Sequence, residues 1–85
     1  MKIDTIGVQA FIAIAESGSF QTAAESLFLS QAGITRRLQN LEDYLGVKLI
    51  ERTTRSVALT KVGEEFLPHA KRLLGELAGS LSEIR

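Results

Sequence analysis

The chain has 85 residues and no cysteine, which suits one domain and excludes a disulfide framework or a zinc–thiolate centre. Hydrophobic residues make up 45% of it, too many for a disordered segment, yet no apolar run approaches the roughly 20 residues of a membrane span. The formal net charge is zero, so any polyanionic partner must be met by a local patch rather than by the whole molecule.

Read in chain order, Asp4 to Ser17 predicts a first helix with Val8, Phe11, Ile12 and Ala15 on one stripe. The run FIAIA also alternates like a strand; the flanking Ser17-Gly18-Ser19 favours a helix that stops there. Ser19 is an N-cap candidate for a second, short helix, in which Phe20, Ala23, Ala24 and Leu27 recur at steps of three and four. The pattern breaks at Phe28-Leu29. Ser30 is a second N-cap candidate, and Ile34, Leu38, Leu41 and Leu45 then form another helical stripe that ends at Gly46. Two short helices with a tight turn between them, and Ala24 where they must approach, make the skeleton of a helix-turn-helix.

Lys48–Arg52 and Val57–Leu59 are short β-prone runs around Thr53-Thr54-Arg55-Ser56, which predicts a hairpin with a four-residue loop. Thr60 is placed to cap a long last helix from Lys61, and Glu64 and Glu65 suit its N-terminal dipole. Gly63, Leu67, Ala70, Leu74, Leu77, Leu81 and Ile84 recur along it at steps of four and three, the spacing of a coiled-coil seam. Phe66 and Leu73 lie beside that seam, positioned to pack back on the preceding domain. Pro68 removes the hydrogen bond to the carbonyl of Glu64.

The outer face of the helix after Ser30 follows from a rotation of about 100° per residue. Ala32, Arg36, Gln39 and Asp43 lie opposite the apolar stripe, with Thr35 and Asn40 flanking them and Gln31 and Arg37 nearer the core edge. Arg can bond guanine bidentately, Gln can bond adenine, and Ala or a Thr methyl can meet the thymine methyl. Asp43 would repel phosphate, so the end of the helix that carries Glu42 and Asp43 is expected to tilt out of a groove. Charge agrees with this reading. Between Ser30 and Lys61 the basic residues are Arg36, Arg37, Lys48, Arg52, Arg55 and Lys61, against Glu42, Asp43 and Glu51. The segments on either side are net acidic.

The runs SGSFQTAAESL, SQAGITRRLQNLE, LGVKLIER and LTKVGEEFLPHA resemble the DNA-binding domain of LysR-type transcriptional regulators, over essentially the whole chain after its first residues. The resemblance implies a mainly α fold: a winged helix-turn-helix of three helices and a short β-hairpin wing over residues 1–59. A linker and dimerisation helix would follow over 60–85. It implies control of transcription in a prokaryotic cytoplasm by a homodimer, whose two-fold symmetry calls for an inverted-repeat site. It also implies a larger ligand-sensing domain outside these residues, so a small-molecule effector is not expected to bind this chain.

Carried over residue by residue, the family's groove-reading positions fall on Gln31, Ala32, Thr35 and Arg36, and its minor-groove wing contact falls on Arg55. Ser19, Thr22, Arg37, Arg52 and Thr54 are the candidate phosphate contacts. Leu67, Ala70, Leu74, Leu77, Leu81 and Ile84 are the candidate dimer contacts. Two positions depart from the usual family residues. Ala32 stands where proline or serine is common, and Gly33, where alanine, serine or proline is common, lowers helix propensity by roughly 1 kcal/mol. The alternative reading is a helical protein-interaction module that pairs through its last helix. Salt separates the two, since DNA binding weakens steeply with ionic strength and apolar helix pairing does not.

No cofactor or metal is implied. His69 has no second His or Cys with which to form a site and reads as a solvated helix residue. Glu64-Glu65 reads as a helix start rather than a catalytic pair, and with no nucleophile, base and orienting group in view the chain is not expected to be an enzyme.

Overall fold

The computed structural model describes residues 4–52 and 57–84, with side chains described as far as Gly75. Each of the first three helices starts on a polar side chain that meets an orphan N–H of the first turn. The first helix, α1 (Thr5–Ser17), starts at Asp4, whose carboxylate accepts from the Ile6 N–H at 3.0 Å. It ends on Gly18, which adopts φ 72° and donates its N–H to the Ile14 carbonyl at 2.8 Å. α2 (Phe20–Ser26) starts at Ser19, whose Oγ accepts from the Thr22 N–H at 3.1 Å. α3 (Gln31–Leu45) starts at Ser30, whose Oγ accepts from the Gly33 N–H at 2.9 Å, and ends on Gly46 at φ 74°.

β1 (Ile50–Arg52) and β2 (Val57–Leu59) pair antiparallel, with Ile50 opposite Leu59 and Arg52 opposite Val57. β1 is shorter than the expected Lys48–Arg52, because the backbone of Lys48 and Leu49 bonds elsewhere. Thr60 donates its hydroxyl to the Lys48 carbonyl at 2.6 Å and its N–H to the Leu49 carbonyl at 3.0 Å. The same hydroxyl accepts from the Gly63 N–H at 3.0 Å, so Thr60 both caps α4 (Lys61–Ile84) and fastens it to the hairpin. α4 stays helical through Pro68.

The core lies between α1 and everything else. Phe11, Ile14, Ile34, Leu49 and Val8 are fully enclosed, with Phe20, Ala23, Ala24, Leu38, Leu41, Ile50 and Ala70 around them. Burying each large apolar side chain contributes about 1.5–3 kcal/mol, against about 1 kcal/mol for a cap, so the shared core holds the helices and the caps set their ends. α1 touches α2, α3 and α4. Its burial therefore spreads beyond the single expected stripe: Ala10 and Ile14 are fully buried, while Ile12 and Ala15 are half-buried.

The same packing corrects the reading of the last helix. Gly63 and Ala70 are buried within this one chain, and Leu67 and Leu74 pack half-buried against its core. Phe66 does pack back as expected, its ring centroid 5.6 Å from that of Phe11, but Leu73 does not and is exposed. Ala70, at 1% exposure, has no surface left to offer a second copy and is a core residue rather than a dimer contact. Spacing could not tell these cases apart, because a helix uses steps of three and four against any apolar neighbour. The division at residue 60 therefore runs through packed structure, with the first turns of α4 sharing the core of residues 4–59. Leu77, Leu81 and Ile84 have side chains outside the described residues.

Candidate nucleic-acid interface

α3 presents one face of its first two turns to solvent. Gln31, Ala32 and Arg36 are exposed and Thr35 is half-buried at the edge of that face. The cause is the stripe on the opposite side, where Ile34, Leu38 and Leu41 are buried against α1 and α2. Ser30 fixes the start of the helix, and Gly33 leaves it room: a Cβ on Gly33 would stand 3.1 Å from the capping Oγ of Ser30. Gln39, Asn40 and Asp43 continue the exposed face towards the far end.

The turn before α3 is unusual. Phe28 adopts φ 58° and is 95% exposed. It has no core contact to offset the cost of a left-handed conformation for a residue with a Cβ.

The basic side chains expected to serve a phosphate backbone have different neighbours. Arg36 makes no ion pair among the described residues. Arg37 does: its Nη1 donates to Asp4 Oδ2 at 2.7 Å across 33 positions of sequence. The Arg37 guanidinium holds the Asp4 carboxyl below the ordinary carboxylate range, against a smaller opposing effect of desolvation, and the Ile6 N–H adds to the lowering. Arg37 thus neutralises the cap of α1, which weakens its expected role as a phosphate ligand. Arg52 lies with its guanidinium carbon 4.1 Å from the centre of the Phe20 ring. That arrangement presents an exposed cation beside the start of α2. Thr22 is exposed there and Ser19 is half-buried; the Ser19 Oγ accepts as a cap and keeps its proton for donation. Thr54 and Arg55 lie outside the described residues.

Glu42, at the same end of α3, is turned inward and only 6% exposed. One carboxylate oxygen, Oε2, accepts from the N–H of Leu49 at 2.7 Å and of Ile50 at 3.2 Å. The other lies 3.7 Å from the Lys48 ammonium. Periodicity gave no sign of this, because Glu42 follows Leu41 at the edge of the apolar stripe and its partners come from the next element. Losing Glu42 from the surface also leaves Asp43 as the exposed acid of this helix end.

A short second helix, a capped recognition helix turned outward, and a hairpin followed by a long helix define the winged helix-turn-helix class. Residues 7–64 match the bacterial regulatory helix-turn-helix proteins of the lysR family, and the chain belongs to that family. It is 44% identical over 85 residues to YbhD, an uncharacterized HTH-type transcriptional regulator of Escherichia coli, covering all of this chain and 27% of that protein. Among solved structures it is similar to the oxidized form of OxyR from Corynebacterium glutamicum, with a TM-score of 0.94 and 40% identity over 99% of this chain and 26% of that one. It also matches a CbnR DBD–DNA complex, with a TM-score of 0.86 and 44% identity over 95% of this chain and 92% of that one. The chain spans about a quarter of the length of the first curated relatives it matches. No helix among the described residues is long and apolar enough to cross a membrane.

Proposed function

We propose that this chain is the DNA-binding part of a transcriptional regulator, acting on double-stranded DNA as a homodimer in a prokaryotic cytoplasm and carrying no catalytic activity. The observation that carries the reading is the exposed start of α3, with Gln31, Ala32 and Arg36 facing outward from a helix end fixed by Ser30. An α-helix fits the major groove, and these side chains can meet base edges there. The CbnR DBD–DNA complex supports it, since a similar fold is bound to DNA in that structure.

Gln31, Ala32, Thr35 and Arg36 are the base-reading set. Arg55 on the wing is assigned to the neighbouring minor groove. Ser19, Thr22, Arg52 and Thr54 supply phosphate contacts that fix register, and Arg37 assists only when Asp4 releases it. Leu77, Leu81 and Ile84, with the remaining open edges of Leu67 and Leu74, form the dimer seam.

Selection from random duplex DNA, followed by titration of the recovered site at several salt concentrations, tests the reading. The expected outcome is an enriched inverted repeat whose affinity falls linearly in log salt, with a slope of about −0.9 per phosphate neutralised. Failure to enrich any sequence, with salt-insensitive self-association, would favour the helical interaction module instead.

A further inference from the structure

Leu49 is the point where three elements meet. Its N–H is held by Glu42 from the last turn of α3. Its carbonyl accepts from the Thr60 N–H at the start of α4. Gly63 of α4 abuts that carbonyl so closely that a Cβ there would stand 2.1 Å from the oxygen. Of these links, only the one from Glu42 reaches back to the recognition helix. It is also made by a carboxylate that is almost fully buried, and taking such a group out of water is costly unless its hydrogen bonds are made. A core hydrophobe at position 42 would avoid that cost but could not hold a backbone N–H.

We propose that Glu42 is a positioning residue for DNA binding: its carboxylate sets the base of the hairpin at one distance and angle from α3, so that recognition helix and wing engage the same duplex as one unit. The inference rests on the DNA-binding reading above. The charged oxygen accepts from two successive N–H groups, at 2.7 Å from Leu49 and 3.2 Å from Ile50, and such charge-assisted bonds are directional and stronger than neutral ones. They fix the strand where it leaves α3, and a small rotation at that point would be magnified along the hairpin. Reach is what the geometry demands. Both bonds go to the same oxygen, which a glutamine carbonyl can replace, whereas aspartate is one methylene too short.

Glu42→Gln and Glu42→Asp, made in the full 85-residue chain, therefore separate reach from charge. The first readout needs no DNA: amide hydrogen exchange at Leu49 and Ile50. Glutamine should leave their protection within about threefold of wild type. Aspartate should accelerate exchange there by tenfold or more, while the amides of Ile34 and Leu38 stay protected. The second readout is footprinting on the selected duplex. Aspartate should lose hydroxyl-radical protection of the flanking minor groove and keep major-groove protection of the half-site; glutamine should keep both. Equal loss of both protections, or aspartate matching wild type in exchange and footprint, would overturn the proposal. So would a glutamine variant that behaves like aspartate, because charge rather than reach would then be responsible. A wild-type chain with protected Leu49 and Ile50 amides but no footprint at all would instead count against the DNA-binding reading.

Discussion

A Cβ placed on Gly63 would stand 2.1 Å from the carbonyl oxygen of Leu49 and 3.0 Å from its carbonyl carbon. Backbone atoms cannot swing aside as a side-chain end can. The carbonyl involved is also the acceptor for Thr60, which starts α4. Gly63→Ala is therefore expected to cost about 1–3 kcal/mol through overpacking, read as a lowered midpoint in urea unfolding. Gly75 is the control. A Cβ there meets nothing within 4 Å, so Gly75→Ala should stabilise by about 1 kcal/mol through helix propensity alone. Equal effects of the two substitutions would show that the close approach to Leu49 is not what excludes a side chain at 63.

The pair Arg37–Asp4 makes a pH prediction. The Asp4 carboxyl is held below its ordinary range by Arg37, so its contribution is present above the unfolded value near 3.8 and lost as pH falls through the lower folded value. Both side chains are more than a third exposed, so screening keeps the contribution under about 1 kcal/mol. Asp4→Asn keeps a good cap but no charge. Its stability deficit against wild type should be constant at neutral pH and shrink below about pH 4, as followed by thermal unfolding. Asp4→Ala should add about 1 kcal/mol for the lost cap. A deficit for the asparagine variant that persists unchanged to pH 2 would mean that the ion pair contributes nothing.

What could be read in the sequence was what is local. Ser19 and Ser30 cap the helices they precede, and Gly18 and Gly46 end the helices they follow, because each needs only its own neighbours along the chain. The outward face of α3 was legible too, since helical rotation fixes what stands opposite Ile34, Leu38 and Leu41. Most of the failures are contacts between one element and another. Arg37 meets Asp4, Glu42 meets Leu49, and Ala70 enters the core formed by α1. Nothing in the spacing of a charged residue says which N–H or guanidinium will face it after folding. The seam of α4 misled for a related reason: its first half has a partner in this chain, and an apolar stripe does not name its partner.

Phe28 carries two costs at once, a left-handed φ of 58° and an aromatic ring 95% exposed. Glycine adopts that conformation without strain but is more flexible when unfolded. Phe28→Gly should therefore change stability by no more than about 1 kcal/mol, in the favourable direction if strain dominates. Loss of more than 2 kcal/mol in denaturant titration would reveal a packing role that the exposed ring does not show.

Arg36 is the cation on the outward face of α3 with no ion pair among the described residues, so its side chain is free to reach a base edge. Arg36→Ala should weaken binding to the selected site by about 1–3 kcal/mol and relax preference at one position of each half-site. Arg52→Ala should weaken selected and random DNA alike and reduce the salt slope by about one. Competition titrations against single-base variants of the site separate the two patterns. Equal losses on selected and random duplexes for Arg36→Ala would reduce it to a phosphate contact.

The packing of α4 limits how two copies of the chain can assemble. The helix has 24 residues, roughly 36 Å at 1.5 Å per residue, and its early turns are committed to the core of the same chain. Leu74→Asp would therefore disturb folding as well as pairing. Leu77 and Leu81 continue the seam beyond Leu74, the last core contact among the described residues. If two α4 helices pair through them, two recognition helices are held in a fixed two-fold relation, and their half-sites must lie about one helical turn, or a multiple of it, apart. Leu77→Asp and Leu81→Asp should each give a folded monomer, seen by sedimentation together with unchanged thermal unfolding of the core. Each should bind an isolated half-site as wild type does, yet lose at least about tenfold on the inverted repeat, because the second half-site no longer benefits from the effective concentration that the linkage supplies. A variant that sediments as a monomer but keeps full affinity for the repeat would show that α4 does not couple the two sites, whatever it does to the oligomeric state.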